Sequence, residues 1–247
     1  MTVSSKLVVL LALTTTACRV SVPAPTAKVT VAAAADLKFA MDEISRAFRE
    51  SHPETDVQVA YGSSGNFFAQ IQNGAPFDLF LSADIEYARK LDKPVFTYAS
   101  GRLAVWVPAN SRLDPKTALR DPSLARLAIA NPSHAPYGRA AEAALRNMEV
   151  WDAVRSRVVL GENVAQTMQF VQSGVADAGI VALSLALAPP VRGQGRYWEI
   201  PVEDYPRLEQ GGAILHDSPA ARQLRDFLLS VAGRRILKEY GFLLPGE

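Results

Sequence analysis

Short, uninterrupted apolar runs alternate with segments of helical period along the first third of the chain. Residues 28–34 (KVTVAAA) read as a buried strand, and after Asp36 the apolar residues Leu37, Met41, Ile44, Ala47 and Phe48 recur at helical spacing. Asp36 is placed to cap that helix. Residues 57–61 form a second strand that runs into Gly62-Ser63-Ser64-Gly65, then a helical stretch with Phe67, Phe68 and Ile71 that closes at Asn73-Gly74. Residues 78–82 (DLFLS) are a third strand, followed by a helix over about 85–91. The order β-α-β-α-β-α requires parallel strands with helices on both faces of the sheet.

A second cluster follows. Residues 103–107 form a strand that ends at Pro108, and residues 127–130 start a new unit. It continues with a helix over 138–147, a strand at 157–160, a helix over 164–173 and a buried strand at 178–181. Strands are expected at 198–202 and 213–215, a helix over 219–231 with Leu224, Phe227, Leu228 and Val231 on one face, and a last helix over 233–240. The chain shows no long linker, internal repeat or low-complexity tract. With 247 residues it is long enough for two lobes of about 100 residues each. The expected division is residues 28–100 with 212–247 in the first lobe and 101–211 in the second, joined by crossing strands around a cleft. Such clefts, at the carboxyl ends of parallel strands, are where α/β sheets bind ligands.

The N-terminus carries an export signal: Lys6, the apolar run 7–13, then Thr14-Thr15-Thr16-Ala17-Cys18. The run is too short for a stable bilayer-spanning helix. Cys18 is the only cysteine, which excludes an internal disulfide and a thiol nucleophile elsewhere. Residues 1–18 are read as a signal peptide and 19–27 as a short tether. Thr-Thr-Ala-Cys resembles the lipobox of bacterial lipoproteins, which implies a lipidated Cys18, although Thr15 stands where that pattern usually has Leu. The alternative is cleavage near Ala17 or Ala24. Lys6 is the only charged residue before Cys18 and the whole chain carries +1, so the remainder is formally neutral. There is no basic stripe for a nucleic acid, and an anion must be held by local donors.

Motifs of catalysis are absent: no HExxH, no CxxC, no Walker loop and no GxGxxG after a strand. His52, His134 and His216 stand far apart and read as surface or loop residues. Gly62-Ser63-Ser64-Gly65-Asn66 lies where a nucleophile elbow would lie, but Asn66 occupies the position of the elbow's last glycine. A hydrolase using Ser64 is therefore a weak reading. Anion binding uses the same element better: unpaired N–H groups at a helix start, small residues that admit an oxyanion, and hydroxyl donors. One serine is explained by capping alone; two between glycines are not. Further helix starts follow residues 32–36, residues 131–138 (NPSHAPYG) and Glu162-Asn163-Val164. That makes four, two in each cluster.

These segments carry a family resemblance. Residues 32–41 (AAAADLKFAM), 61–84 (YGSSGNFFAQIQNGAPFDLFLSAD), 131–138, 162–164 and 240–242 (YGF) closely resemble the molybdate-binding proteins of ABC transporters, over roughly residues 28–244. The resemblance implies an α/β, two-lobed periplasmic-binding-protein fold of type II that closes on one oxyanion with neutral donors. By position it implies ligand contacts from Asp36, Ser63, Ser64, Tyr137 and Val164, with Ala35, Asn163 and Ala182 in supporting places. Relatives often carry Ser or Asn at Asp36, whose carboxylate would repel a dianion, so its backbone N–H is the expected donor while the side chain caps the helix. Part of the family has a tyrosine where Ala182 stands, and Tyr137 is expected to supply the phenol instead. The ligand implied is molybdate or tungstate, with no cofactor and no direct protein–metal bond. The partner implied is an ABC permease, and the protein is expected to be a periplasmic or extracytoplasmic monomer, anchored if Cys18 is lipidated. Other solutes on the same fold, such as sulfate or ferric iron, and a hydrolase remain as alternatives.

Overall fold

The structure, a computed structural model, describes residues 26–247. The signal segment, Cys18 and the tether up to residue 25 lie outside the described residues.

Ten strands and nine α-helices are seen among the described residues. The first sheet begins with β1 (Ala27–Ala34), which leads through a single 3-10 turn at Ala35–Leu37 into α1 (Lys38–Ser51). Then come β2 (Thr55–Gly62), α2 (Ser64–Gln72), β3 (Leu79–Ser82), α3 (Ile85–Arg89) and β4 (Val95–Gly101). The chain crosses into β5 (Leu103–Pro108), β6 (Leu127–Ala130), α4 (Pro136–Asn147), α5 (Trp151–Val154) and β7 (Val158–Gly161). It continues with α6 (Val164–Gln172), β8 (Ala178–Ala182), α7 (Leu183–Ala186) and β9 (Gly195–Glu199). It returns as β10 (Leu208–Ile214) and ends with α8 (Pro219–Leu229) and α9 (Val231–Glu239).

The two sheets are ordered β2-β1-β3-β10-β4 and β7-β6-β8-β5-β9. Each has three parallel strands, then one reversed strand (β10 or β5) and an outer strand (β4 or β9) paired antiparallel to it. The parallel strands are apolar on both faces because helices cover both: Val29, Val31 and Ala33 of β1 and Leu127, Ala128 and Ile129 of β6 are fully buried. Helix α1 buries Met41, Ile44 and Phe48, and Phe48 meets Phe227 of α8 edge-on at 5.6 Å. The connection from β1 moves outward to β2, and the connection from β2 returns past β1 to β3. This reversal opens a crevice at the carboxyl end of β1, and β6 with β7 and β8 repeats the device in the second sheet.

Two crossings join the lobes, one at Arg102 and one at residues 200–207. The Ile200 N–H donates to the Leu103 carbonyl (3.0 Å), and the Leu103 N–H donates to the Tyr205 hydroxyl (3.1 Å). The C-terminal segment braces the first crossing through paired bonds between Ser100 and Leu243 (2.8 and 3.0 Å).

The sequence pattern and the structure differ at several places, three of which bear on the sheets. Strand β4 had no clean alternation to reveal it. The strand expected at 198–202 lies at Gly195–Glu199, because Pro201 lacks an N–H for the ladder and a 3-10 turn at Val202–Asp204 replaces it. Finally, β10 pairs with β4 from Leu208 opposite Gly101, so the return to the first sheet precedes the boundary expected at 211/212.

Candidate functional site

A small cavity of about 10 Å³ lies between the lobes, lined by Ala34, Ala35, Asp36, Gly62, Ser63, Ser64, Ala83, Ala135, Pro136, Tyr137, Asn163 and Val164. These residues come from the carboxyl ends of β1, β2 and β3 in one lobe and from the loops after β6 and β7 in the other. Among the described residues, no lysine, arginine or histidine lines it. A larger groove of about 320 Å³ adjoins it at Ala83 and Pro136. Its wall carries the charged residues Asp84, Glu86, Arg139, Arg207 and Glu209, with Arg139 pairing Asp84 at 2.6 Å, and it holds none of Asp36, Ser63, Ser64 and Tyr137. The smaller cavity is therefore the candidate site.

Each lining element has a local reason for its position. Ser63 is extended and caps α2, its Oγ accepting the Asn66 N–H at 3.4 Å. Asn163 caps α6 by accepting the N–H groups of Ala165 and Gln166 (both 3.0 Å). Pro136 opens α4, where a missing N–H costs nothing. Ser64 is fully buried, and its Oγ accepts the Ala83 N–H at 2.9 Å. That contact uses a lone pair and leaves the hydroxyl proton to be donated elsewhere.

Asp36 sits at the centre with 1% of its surface exposed. Its Oδ2 accepts two hydrogen bonds, from the Tyr137 hydroxyl (3.0 Å) and from the Gln210 side-chain amide (2.5 Å). Its Oδ1 is buried and finds no hydrogen-bond partner among the described residues. The Asp36 carbonyl accepts a bond from the Ser184 hydroxyl (2.7 Å). Neither the turn at Ala35–Leu37 nor α1 has a side-chain cap, so the capping role expected of Asp36 is corrected: its carboxyl turns to the other lobe. Burial pushes its pKa up to about 6, against the opposing pull of Gln210, Tyr137 and the N–H groups of Asp36 and Leu37. Burial also pushes the Tyr137 and Tyr98 hydroxyls well above the usual phenol range, and the Asp36 charge adds to both shifts.

At the mouth, the lobes touch backbone to backbone. The Gly65 N–H donates to the His134 carbonyl at 2.9 Å, and a Cβ on Gly65 would lie 2.6 Å from that oxygen. His134 Nδ1 lies 3.0 Å from Ser63 Oγ, and its Nε2 lies 3.5 Å from Glu162. Ser63, His134 and Glu162 thus form a clasp across the cleft. Ser64, the serine a hydrolase reading would use, has no base: its oxygen faces Ala83 N–H.

Of the residues singled out in the sequence, Ala35, Asp36, Ser63, Ser64, Tyr137, Asn163 and Val164 are brought together at this cavity. Ala182 is not; it ends β8, fully buried, and Ser184 beyond it reaches the Asp36 turn instead. Gln210 was missed. It is a fully buried amide within β10, and its only sequence signal is a polar residue between Leu208 and Gly211-Gly212-Ala213.

Two lobes closing on a small cavity of hydroxyls, backbone donors and helix starts define a binding protein of the two-lobed type. The chain belongs to the bacterial extracellular solute-binding proteins, whose family model matches residues 29–243. A molybdate-binding protein ModA of Azotobacter vinelandii is 37% identical, over 96% of this chain and 97% of its own. One from Rhodobacter capsulatus is 33% identical over 90% and 91%. The solved structure of the Azotobacter vinelandii periplasmic molybdate-binding protein superposes with a TM-score of 0.82 at 29% identity, covering 88% of this chain and 99% of that one.

The raised pKa of Asp36 carries a stability consequence. The folded chain holds the proton at pH values where the unfolded chain has lost it, so stability present below about pH 4 is lost as pH rises through about 6. The loss amounts to ~2–3 kcal/mol. Asp36→Asn carries no charge to bury, so ligand-free urea unfolding is expected to show the variant gaining on the wild type between about pH 4 and pH 8 by this amount. A stability difference that does not change with pH would refute the buried ionisation.

Proposed function

We propose that this chain captures a tetrahedral dianion, molybdate or tungstate, outside the cytoplasm and delivers it to the permease of an ABC transporter. The observation that carries this reading is the cavity itself: helix starts and a serine hydroxyl converge from both lobes, no cationic side chain lines it, and molybdate-binding relatives align over nearly the whole chain. The Ser64 hydroxyl, the backbone N–H groups at Ala35–Asp36 and Val164, and the Tyr137 side of the cavity hold the oxygens; no protein atom bonds the metal. Tyr137 takes the place of a phenol from the β8 end, where Ala182 has none. Ser63 and Asn163 shape the site by capping α2 and α6.

Ligand bonds made to both lobes favour the closed form over the open one. That form is what the permease recognises. Sulfate is rejected by its smaller size. The protein acts as a monomer without catalysis, and a lipid on Cys18 holds it near the membrane; a single chain binds weakly, so this anchor works with others.

Thermal unfolding of the chain from Arg19 onward tests the reading. At about 1,000 times Kd, molybdate and tungstate should each add roughly 4 kcal/mol, a shift of several degrees, while sulfate and phosphate leave the midpoint in place. No shift with the first pair would sink it. In calorimetric titrations, Ser64→Ala should weaken molybdate by about 1–3 kcal/mol, the loss of one charge-assisted bond. Gly65→Val should weaken it at least about tenfold, since the added side chain meets the His134 carbonyl and blocks closure.

A further inference from the structure

This inference deepens the reading above and rests on it. The question is what a carboxyl group does at the centre of an anion site. The two hydrogen bonds of the side chain answer part of it. Two donors, Tyr137 and Gln210, converge on Oδ2, while Oδ1, on a side chain that lines the cavity, is left without a partner. A fully ionised carboxylate uses both oxygens as acceptors; a carboxylic acid uses one as acceptor and offers a proton from the other. The observed division is that of the acid.

The surroundings agree. No cation balances the site. Facing Asp36 are Tyr137 from α4, Gln210 from β10, Tyr98 from β4 and Ser184 from α7. Helix α6 packs against the Asp36 turn, and its buried residues, Val164, Thr167, Met168 and Val171, are uncharged. Tyr205 acts only through Tyr137, beside the Arg102–Glu199 pair. Lys38, two residues away, lies over the Tyr61 ring at 5.1 Å, and Tyr61 itself bonds to Asp42. A dianion brought against an ionised Asp36 would meet a third negative charge with nothing to offset it.

We infer that Asp36 binds the oxyanion as a neutral carboxylic acid, donating from Oδ1 to a ligand oxygen while Oδ2 accepts from Tyr137 and Gln210, so that one proton enters the site with each dianion. The proton comes from solvent, and no bond of the ligand changes. Burial moves the group toward this state before ligand arrives, raising its pKa to about 6, and the ligand's charge raises it further. Asp36 thereby makes affinity depend on pH where an Asn or Ser in its place would not. It also selects against ligands that bring their own proton, for which the acid has no acceptor to offer.

Isothermal titration with molybdate, in buffers of differing ionisation heat at about pH 7.5, counts the protons. The expected result is about one proton taken up per ligand, with Kd rising about tenfold per pH unit between about pH 7 and 9. Asp36→Asn should abolish both the uptake and the slope, and bind more tightly than the wild type at the high-pH end. His134→Gln, which removes the one histidine of the mouth, should keep both. Molybdate binding with no proton uptake overturns the inference and leaves the proposed function standing. Uptake lost in His134→Gln but kept in Asp36→Asn overturns it as well. Hydrogen phosphate binding without uptake, and more tightly than molybdate at high pH, would show Asp36 acting as an ionised acceptor. No heat with molybdate in either the wild type or Asp36→Asn would instead defeat the proposed function.

Discussion

One oxygen atom, Asp36 Oδ2, organises the centre of this protein. It is bonded by Tyr137 from the second lobe and by Gln210 from the strand that returns to the first. Burying a carboxyl without partners would cost several kcal/mol, and these two donors make the burial tolerable. The dependence runs both ways, because a buried phenol and a buried amide also need acceptors. The crossing strand must make room for this arrangement. A Cβ on Gly101 would lie 2.1 Å from the Tyr137 hydroxyl and 2.7 Å from the Gln210 amide, so the last residue of β4 is a glycine. The floor of the cavity and the hinge between the lobes are thus one construction.

The rest of the fold supplies what this centre lacks. Three parallel strands in each sheet deliver their carboxyl ends to the cleft, and a helix start follows each one that matters. The chain gains a concentration of N–H dipoles at one place without importing a charge. Caps keep those helix starts in place without consuming all their donors. Ser63 and Asn163 satisfy the N–H groups of Asn66, Ala165 and Gln166, the Gly65 N–H goes to His134, and the leading N–H groups of Ser64 and Val164 are left to the cavity.

Much of this was legible in the sequence, for reasons that differ by element. Strands β1, β3, β6 and β8 are apolar on both faces, so they read as unbroken runs. Helix α1 shows its buried face through Met41, Ile44 and Phe48. Ser64, Tyr137 and Val164 were placed by resemblance to a family, and the structure shows them sharing a cavity. Strand β4 was invisible because VFTYASG has no period of its own; its burial comes from β10, which arrives much later in the chain. Gln210 was invisible for the same reason. Asp36 was misread because local rules favour an aspartate as a helix cap. Its tertiary partners, Tyr137 and Gln210, outbid the cap, and nothing near Asp36 in sequence announces them.

The charges of the cleft also explain why closure is left to a ligand. Arg139 reaches Asp84 across the lobes at 2.6 Å, and His134, 3.5 Å from Glu162 of its own lobe, lies 3.0 Å from Ser63 across the cleft, but these groups are on the rim and partly solvated. Such pairs contribute about 0–1 kcal/mol each. They guide the lobes into register without holding them shut. The backbone bond at Gly65 adds a directional contact of ordinary strength. The unmet donors and the unpartnered Asp36 oxygen are all inside, where only a molecule with several acceptor oxygens can satisfy them together. A rim that orients and an interior that stays unsatisfied until filled is what lets binding and closure be a single event, and lets the reverse step release the cargo.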